Sequence, residues 1–162
     1  MHGQRGKQRD IFAPIIGKLR QDTAVPLKLP PFLPFNNDRA NPLYVNGSAD
    51  EQGYRIEIGL TPDCEGQHVC HYGTLFGSRR RIEMDDGKRV AVVLAGGVRG
   101  EFHESTCAAY CSDVQIGWPQ DGYFYMISLK AATPAELKRM VNSAIGTAVH
   151  KEASGKATAC RH

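Results

Sequence analysis

Two stretches of this chain gather side chains able to do chemistry. "TPDCEGQHVCHYG", residues 61–73, carries Cys64, His68, Cys70 and His71, and "STCAAYC", residues 105–111, carries Cys107 and Cys111. Three chemistries use such residues: metal ligation, a reactive thiol and a covalent staple. Zinc accepts thiolate and imidazole, but its loops pair a C-x2-4-C knuckle with a distant second pair. Here all four candidate ligands fall within eight positions. His71 also opens a strand directly after Cys70, so the two side chains are expected to leave opposite faces. The same geometry counts against a Cys70–His71 nucleophile and base, and there is no C-x-x-C redox motif. Two local disulfides, Cys64–Cys70 and Cys107–Cys111, account better for the spacing, with cross-pairing between the loops left open. Each would stabilise its loop by about 2 kcal/mol. With both thiolates consumed, His68 and His71 have only Asp63 and Glu65 near them in sequence, so no metal and no cofactor is expected. Cys160, in the tail, is the odd cysteine.

Other residues are weaker candidates. His103 between Glu101 and Glu104 has the composition of a base with carboxylates, although a solvated charge cluster at a strand end has the same composition. "GGVRG" lacks the Lys-Ser/Thr of a phosphate loop and reads as a turn or bulge. Asn46-Gly47-Ser48 fits a glycosylation sequon, which bears only on eukaryotic secretion. Trp118, Tyr123 and Tyr125 could line a ligand groove, against the default of hairpin and core packing. None of these sets defines a catalytic group.

The elements that must position these residues are legible from pattern. The 162 residues, 41% hydrophobic and 23% charged, suit one globular domain. The net charge is +3, and the one basic run, Arg79 to Arg81, is followed by Glu83, Asp85 and Asp86. Nucleic-acid binding needs a sustained basic stripe, so it is not expected. No window resembles a membrane span of about 20 apolar residues, and the start, "MHGQRGKQRD", has no apolar signal region.

Residues 1–9 are expected to be disordered and 10–146 to form the domain, with 147–162 a flexible tail. Asp10 is placed to cap a helix whose Ile11, Phe12, Ile15, Ile16 and Leu19 share a face. "VPLKLPPFLPF" follows as an extended arm packed across the domain, because proline excludes it from a central strand. "YRIEIGL" alternates Tyr54, Ile56, Ile58 and Leu60 on one face. A strand near His71–Phe76, a hairpin over residues 78–97 turned at Asp86-Gly87, a strand over Val98–Phe102 and a hairpin turned by Pro119–Gly122 complete the strands. Thr133, Pro134 and Glu136 open a C-terminal helix with Leu137, Met140, Val141, Ala144 and Ile145 as its buried stripe. The fold class is α+β: an antiparallel sheet of about five to seven strands with a helix at each end.

In four segments, "VPLKLPPFLPF", "YRIEIGLTPDCEGQHVCHYG", "STCAAYCSDVQIGWPQDGYFYMISLK" and "AELKRMVNSAIG", the chain resembles a loosely defined group of uncharacterised exported bacterial proteins, many cyanobacterial. The resemblance implies an extracytoplasmic, periplasmic or secreted location and carries no activity. The expected function is therefore an exported, non-catalytic binding or interaction domain, envelope-associated in one version, with a protein or small-molecule partner. The alternative is a small hydrolase or metal/redox protein using His71, His103 or the loop cysteines. A histidine hydrogen-bonded to a carboxylate in a pocket would favour the alternative. Closed disulfides without such a pocket would favour the binding domain.

Overall fold

The computed structural model describes residues 11–34, 42–84 and 87–147. Expectations that fall on residues 1–10, on residues 35–41 with Phe35 at the end of the proline arm, on Asp85 and Asp86, and on residues 148–162 with Cys160 lie outside the described residues. Helices α1 (Ala13–Asp22) and α2 (Pro134–Thr147) bracket seven strands: β1 (Tyr44–Asp50), β2 (Gly53–Gly59), β3 (His71–Ser78), β4 (Arg89–Val93), β5 (Arg99–His103), β6 (Val114–Gln120) and β7 (Tyr123–Leu129). They form one antiparallel sheet in the order β1-β2-β3-β7-β6-β5-β4. The α+β class read from the sequence is the class of the structure. The order is that of two meanders, β1 to β3 and β4 to β7, joined where β3 pairs with β7.

Turn chemistry sets the hairpins. Asp121 and Gly122, at φ 53° and 82°, turn β6 into β7, the left-handed pair that a two-residue hairpin requires. Gly96 and Gly97, at φ 67° and 76°, turn β4 into β5, closed by the Leu94 N–H donating to the Val98 carbonyl at 2.7 Å. That second turn corrects the sequence reading. Residues 79–84 form no strand and β4 pairs with β5, so no hairpin spans residues 78–97. Residues 79–84 instead cross the outer face of the sheet, where Met84 sits on Gly117. A Cβ at Gly117 would come within 2.7 Å of the Met84 sulfur, and only glycine leaves that space.

The inner face carries the core. Tyr54, Ile56, Ile58, Leu75, Ile116, Ile127 and Leu129 point inward and are all buried, each burial contributing roughly 1.5–3 kcal/mol. Leu60, expected on the same face, is 48% exposed, because β2 ends at Gly59 in a bulge. Leu137, Met140, Val141, Ala144 and Ile145 of α2 are buried against this face. The helix begins with a reciprocal capping box: the Thr133 N–H donates to Glu136 Oε2 at 2.8 Å and the Glu136 N–H to Thr133 Oγ1 at 3.2 Å. α1 starts at Ala13, with Phe12 as its N-cap residue, Pro14 in its first turn and no side-chain cap.

The proline arm is ordered and structural. Val25 and Leu33 are buried, while Leu27, Leu29 and Phe32 are half-buried against the core. The Lys28 N–H donates to Tyr54 Oη and Tyr125 Oη donates to the Pro26 carbonyl, both at 3.1 Å. These bonds let two buried phenols and an extended backbone satisfy one another, and burial pushes both phenol pKa values up.

Candidate functional site

Alternation sends every second residue of each strand to the outer face. Register then lines up one residue per strand across six strands: Glu57, Thr74, Ser128, Gln115, His103 and Arg89 are successive pairing partners. All six are polar. The neighbouring rung runs Arg55, Phe76, Met126, Gly117 and Glu101. At the bulge the register jumps from Ile58↔Gly73 to Gly59↔His71, which puts His71 on the outer face beside Glu57.

His71 is the hub of a network built from three strands and a loop end. Its Nε2 lies 2.7 Å from Asp113 Oδ2, and its Nδ1 lies 3.5 Å from Glu57 Oε2. Ser128 Oγ donates to the same Asp113 oxygen at 3.2 Å, and Thr74 Oγ1 donates to Glu57 Oε2 at 3.3 Å. Arg55 Nε donates to Glu57 Oε1 at 2.6 Å, with its guanidinium 5.0 Å from the Phe76 ring centroid. The hydrogen bond to Asp113 holds the His71 pKa above its ordinary value of 6.5; burial opposes the shift, the Asp113 and Glu57 charges add to it, and Lys130 acts against it.

Both predicted staples are present, Cys64–Cys70 and Cys107–Cys111. They hold two loops at the same end of the sheet. The first folds over Gly59, where a Cβ would come within 2.6 Å of Cys64 Cβ. The loops touch through the rings of His68 and Tyr110, stacked with centroids 4.7 Å apart. The Lys130 ammonium donates to the His68 carbonyl and secures the first loop to the end of β7. Between the loops and the crossing segment lies an open cleft of about 430 Å³, floored by Thr74, Gln115, Met126 and Ser128 and walled by His68, Cys111, Ile82 and Glu83.

The other candidates from the sequence fall elsewhere. Trp118 and Tyr125 are 0% and 1% exposed and stack on each other at 5.6 Å. They face inward on paired strands and line no surface groove; Tyr123 is half-buried against the core. His103 is not part of a solvated charge cluster: it is 2% exposed, with Nε2 3.8 Å from Glu101 Oε1. Glu101 also takes Arg81 at 2.8 Å. Among the described residues no group of three or more His, Cys, Asp and Glu is arranged to hold a metal ion. No helix among them is long and apolar enough to cross a membrane.

Glu57, Thr74, Asp113, Gln115 and Ser128 are the site residues that the sequence reading missed. For Glu57, Thr74, Gln115 and Ser128 the signal was a polar residue at an outward strand position, which becomes a site only once β3 is known to pair with β7; Asp113 lies in the loop before β6. Chemically, the arrangement offers fixed carboxylates, an amide and an imidazole on a rigid floor. Among the described residues no hydroxyl or thiol is aimed at His71, since Ser128 and Thr74 both donate to carboxylates. Compared with family models, characterised proteins and solved structures, the chain matches none.

Proposed function

We propose that this chain is an extracytoplasmic, non-catalytic binding domain, akin to the exported bacterial proteins it resembles, which takes a small polar ligand in the cleft between its stapled loops. The observation that carries the reading is pre-organisation. Two disulfides, the His68–Tyr110 stack and the His71–Asp113 pair fix the cleft walls before any ligand arrives, which lowers the ordering cost of binding. The volume of about 430 Å³ falls within the roughly 300–1,000 Å³ of small-molecule sites. Two disulfides suit an oxidising compartment. A thermal-stability screen of neutral sugars, amino acids and polyamines tests the reading: one class should raise the melting temperature with concentration, and the rise should vanish in Gln115→Ala. No effect from any class would count against it.

A hydrolase is the second reading, favoured by the His71–Asp113 hydrogen bond inside a cleft, the feature that distinguishes the two functions. Against it, both ring nitrogens of His71 face carboxylates, so neither is turned toward a nucleophile. Turnover of chromogenic esters, amides or glycosides that is lost in both His71→Asn and Asp113→Asn would install this reading in place of the first.

A further inference from the structure

The two disulfides are unequal in access. Cys64 and Cys70 are 4% and 9% exposed, packed on the sheet beside Gly59. Cys107 and Cys111 are both exposed, in a loop whose residues 104–111 are exposed throughout, and Cys111 borders the cleft. We infer that Cys107–Cys111 is a thiol-exchange site, open to a dithiol reductant, whose reduction frees Tyr110 from His68 and lowers one wall of the cleft. Exchange requires a thiolate to reach a disulfide sulfur, and exposed disulfides are the labile ones.

The chemistry balances. One thiolate of the dithiol attacks a sulfur of the Cys107–Cys111 bond, and the other cysteine leaves as thiolate. The second thiol of the reagent, as thiolate, then attacks the mixed disulfide and expels the remaining cysteine. The reagent departs as its own disulfide. Two electrons have passed to the protein, and the two protons lost by the dithiol are available to the two cysteine thiolates.

The consequence is local because the base of the loop has its own bonds. The Ser112 N–H donates to the Thr106 carbonyl at 2.8 Å, the Thr106 N–H to Ser112 Oγ at 2.9 Å, and Ser105 Oγ to the Ser112 carbonyl at 2.6 Å. Asp113 stays tied to His71 beyond that base. Only residues 107–111 lose their closure, and Tyr110 lies among them. The cleft wall that responds is the one carrying the His68 stack.

The test is graded reduction of the oxidised full chain carrying Cys160→Ser, so that no third thiol competes. Samples taken along a dithiothreitol series are alkylated and mapped by mass spectrometry, and the His68 ring signals are followed by NMR. Cys107–Cys111 should open about tenfold or more faster than Cys64–Cys70, with the His68 signals shifting in step. The double variant Cys107→Ala/Cys111→Ala should show the shifted His68 signals without reductant, while its sheet amide signals stay in place. Equal rates, earlier opening of Cys64–Cys70, or selective opening that leaves the His68 signals unmoved would each overturn the inference.

Discussion

His71 Nε2 and Asp113 Oδ2 are 2.7 Å apart across a sequence separation of 42 residues, joining the residue after Cys70 to the second residue after Cys111. The pair ties the ends of both stapled loops to the sheet, and Ser128 supports it from β7. Asp113→Asn should therefore destabilise the fold by about 1–3 kcal/mol, read as a fall in chemical-denaturation stability. In a double-mutant cycle with His71→Asn the two losses should fail to add. Additive losses would mean that the two side chains act independently.

The same pair gives a pH dependence of definite sign. The folded pKa of His71 lies above the unfolded value of 6.5, so folding binds the proton more tightly. Its contribution to stability is fully present below 6.5 and is lost as pH rises through the raised folded value. Melting temperatures measured from about pH 6 to about pH 9 should fall more steeply for the parent than for His71→Gln. Parallel curves would show that the pair contributes nothing to the titration.

The proline arm should behave as core although it has no regular secondary structure. Leu33 is 2% exposed, and Leu33→Ala should cost about 2–5 kcal/mol. Thr133→Ala, which removes one half of the capping box, should cost about 1 kcal/mol. Urea unfolding of both variants checks the order, and a Leu33→Ala cost below that of Thr133→Ala would return the arm to the status of a linker.

Much of the fold was legible because its signals are local. The capping box of α2, the apolar stripe behind it, the turn read at Pro119–Gly122 and the short cysteine spacings all act over a few residues, although Pro119 and Gln120 belong to β6 and only Asp121 and Gly122 make the turn. The β4 hairpin was misplaced because Asp86-Gly87 is a strong turn dipeptide. Gly96-Gly97, two residues in left-handed backbone, closes the real turn. The site was hidden for a different reason. Glu57, His71, Asp113 and Ser128 meet only through the β3–β7 pairing and the bulge at Gly59. Both are long-range choices that alternation alone cannot reveal. The alternation of Val114, Ile116 and Trp118 already marks an inward face for β6, and all three are buried.

Metal content separates the stapled loop from a zinc loop. With Cys64 and Cys70 bonded to each other, neither thiolate is available, and His68 is stacked on Tyr110. Protein purified without a histidine tag should carry far less than one zinc per chain. A stoichiometric signal abolished by His68→Ala would establish a metalloprotein instead.

An NMR titration of the labelled chain distinguishes a ligand seated in the cleft between the stapled loops from one bound elsewhere. The probe is whichever sugar, amino acid or polyamine most raises the melting temperature. Saturable shifts should concentrate at His71, Thr74, Gln115 and Ser128 and in the two loops, and should weaken in Gln115→Ala. Shifts that cluster on the helical face, or that leave these residues unmoved while the compound still stabilises the fold, would contradict binding in the cleft.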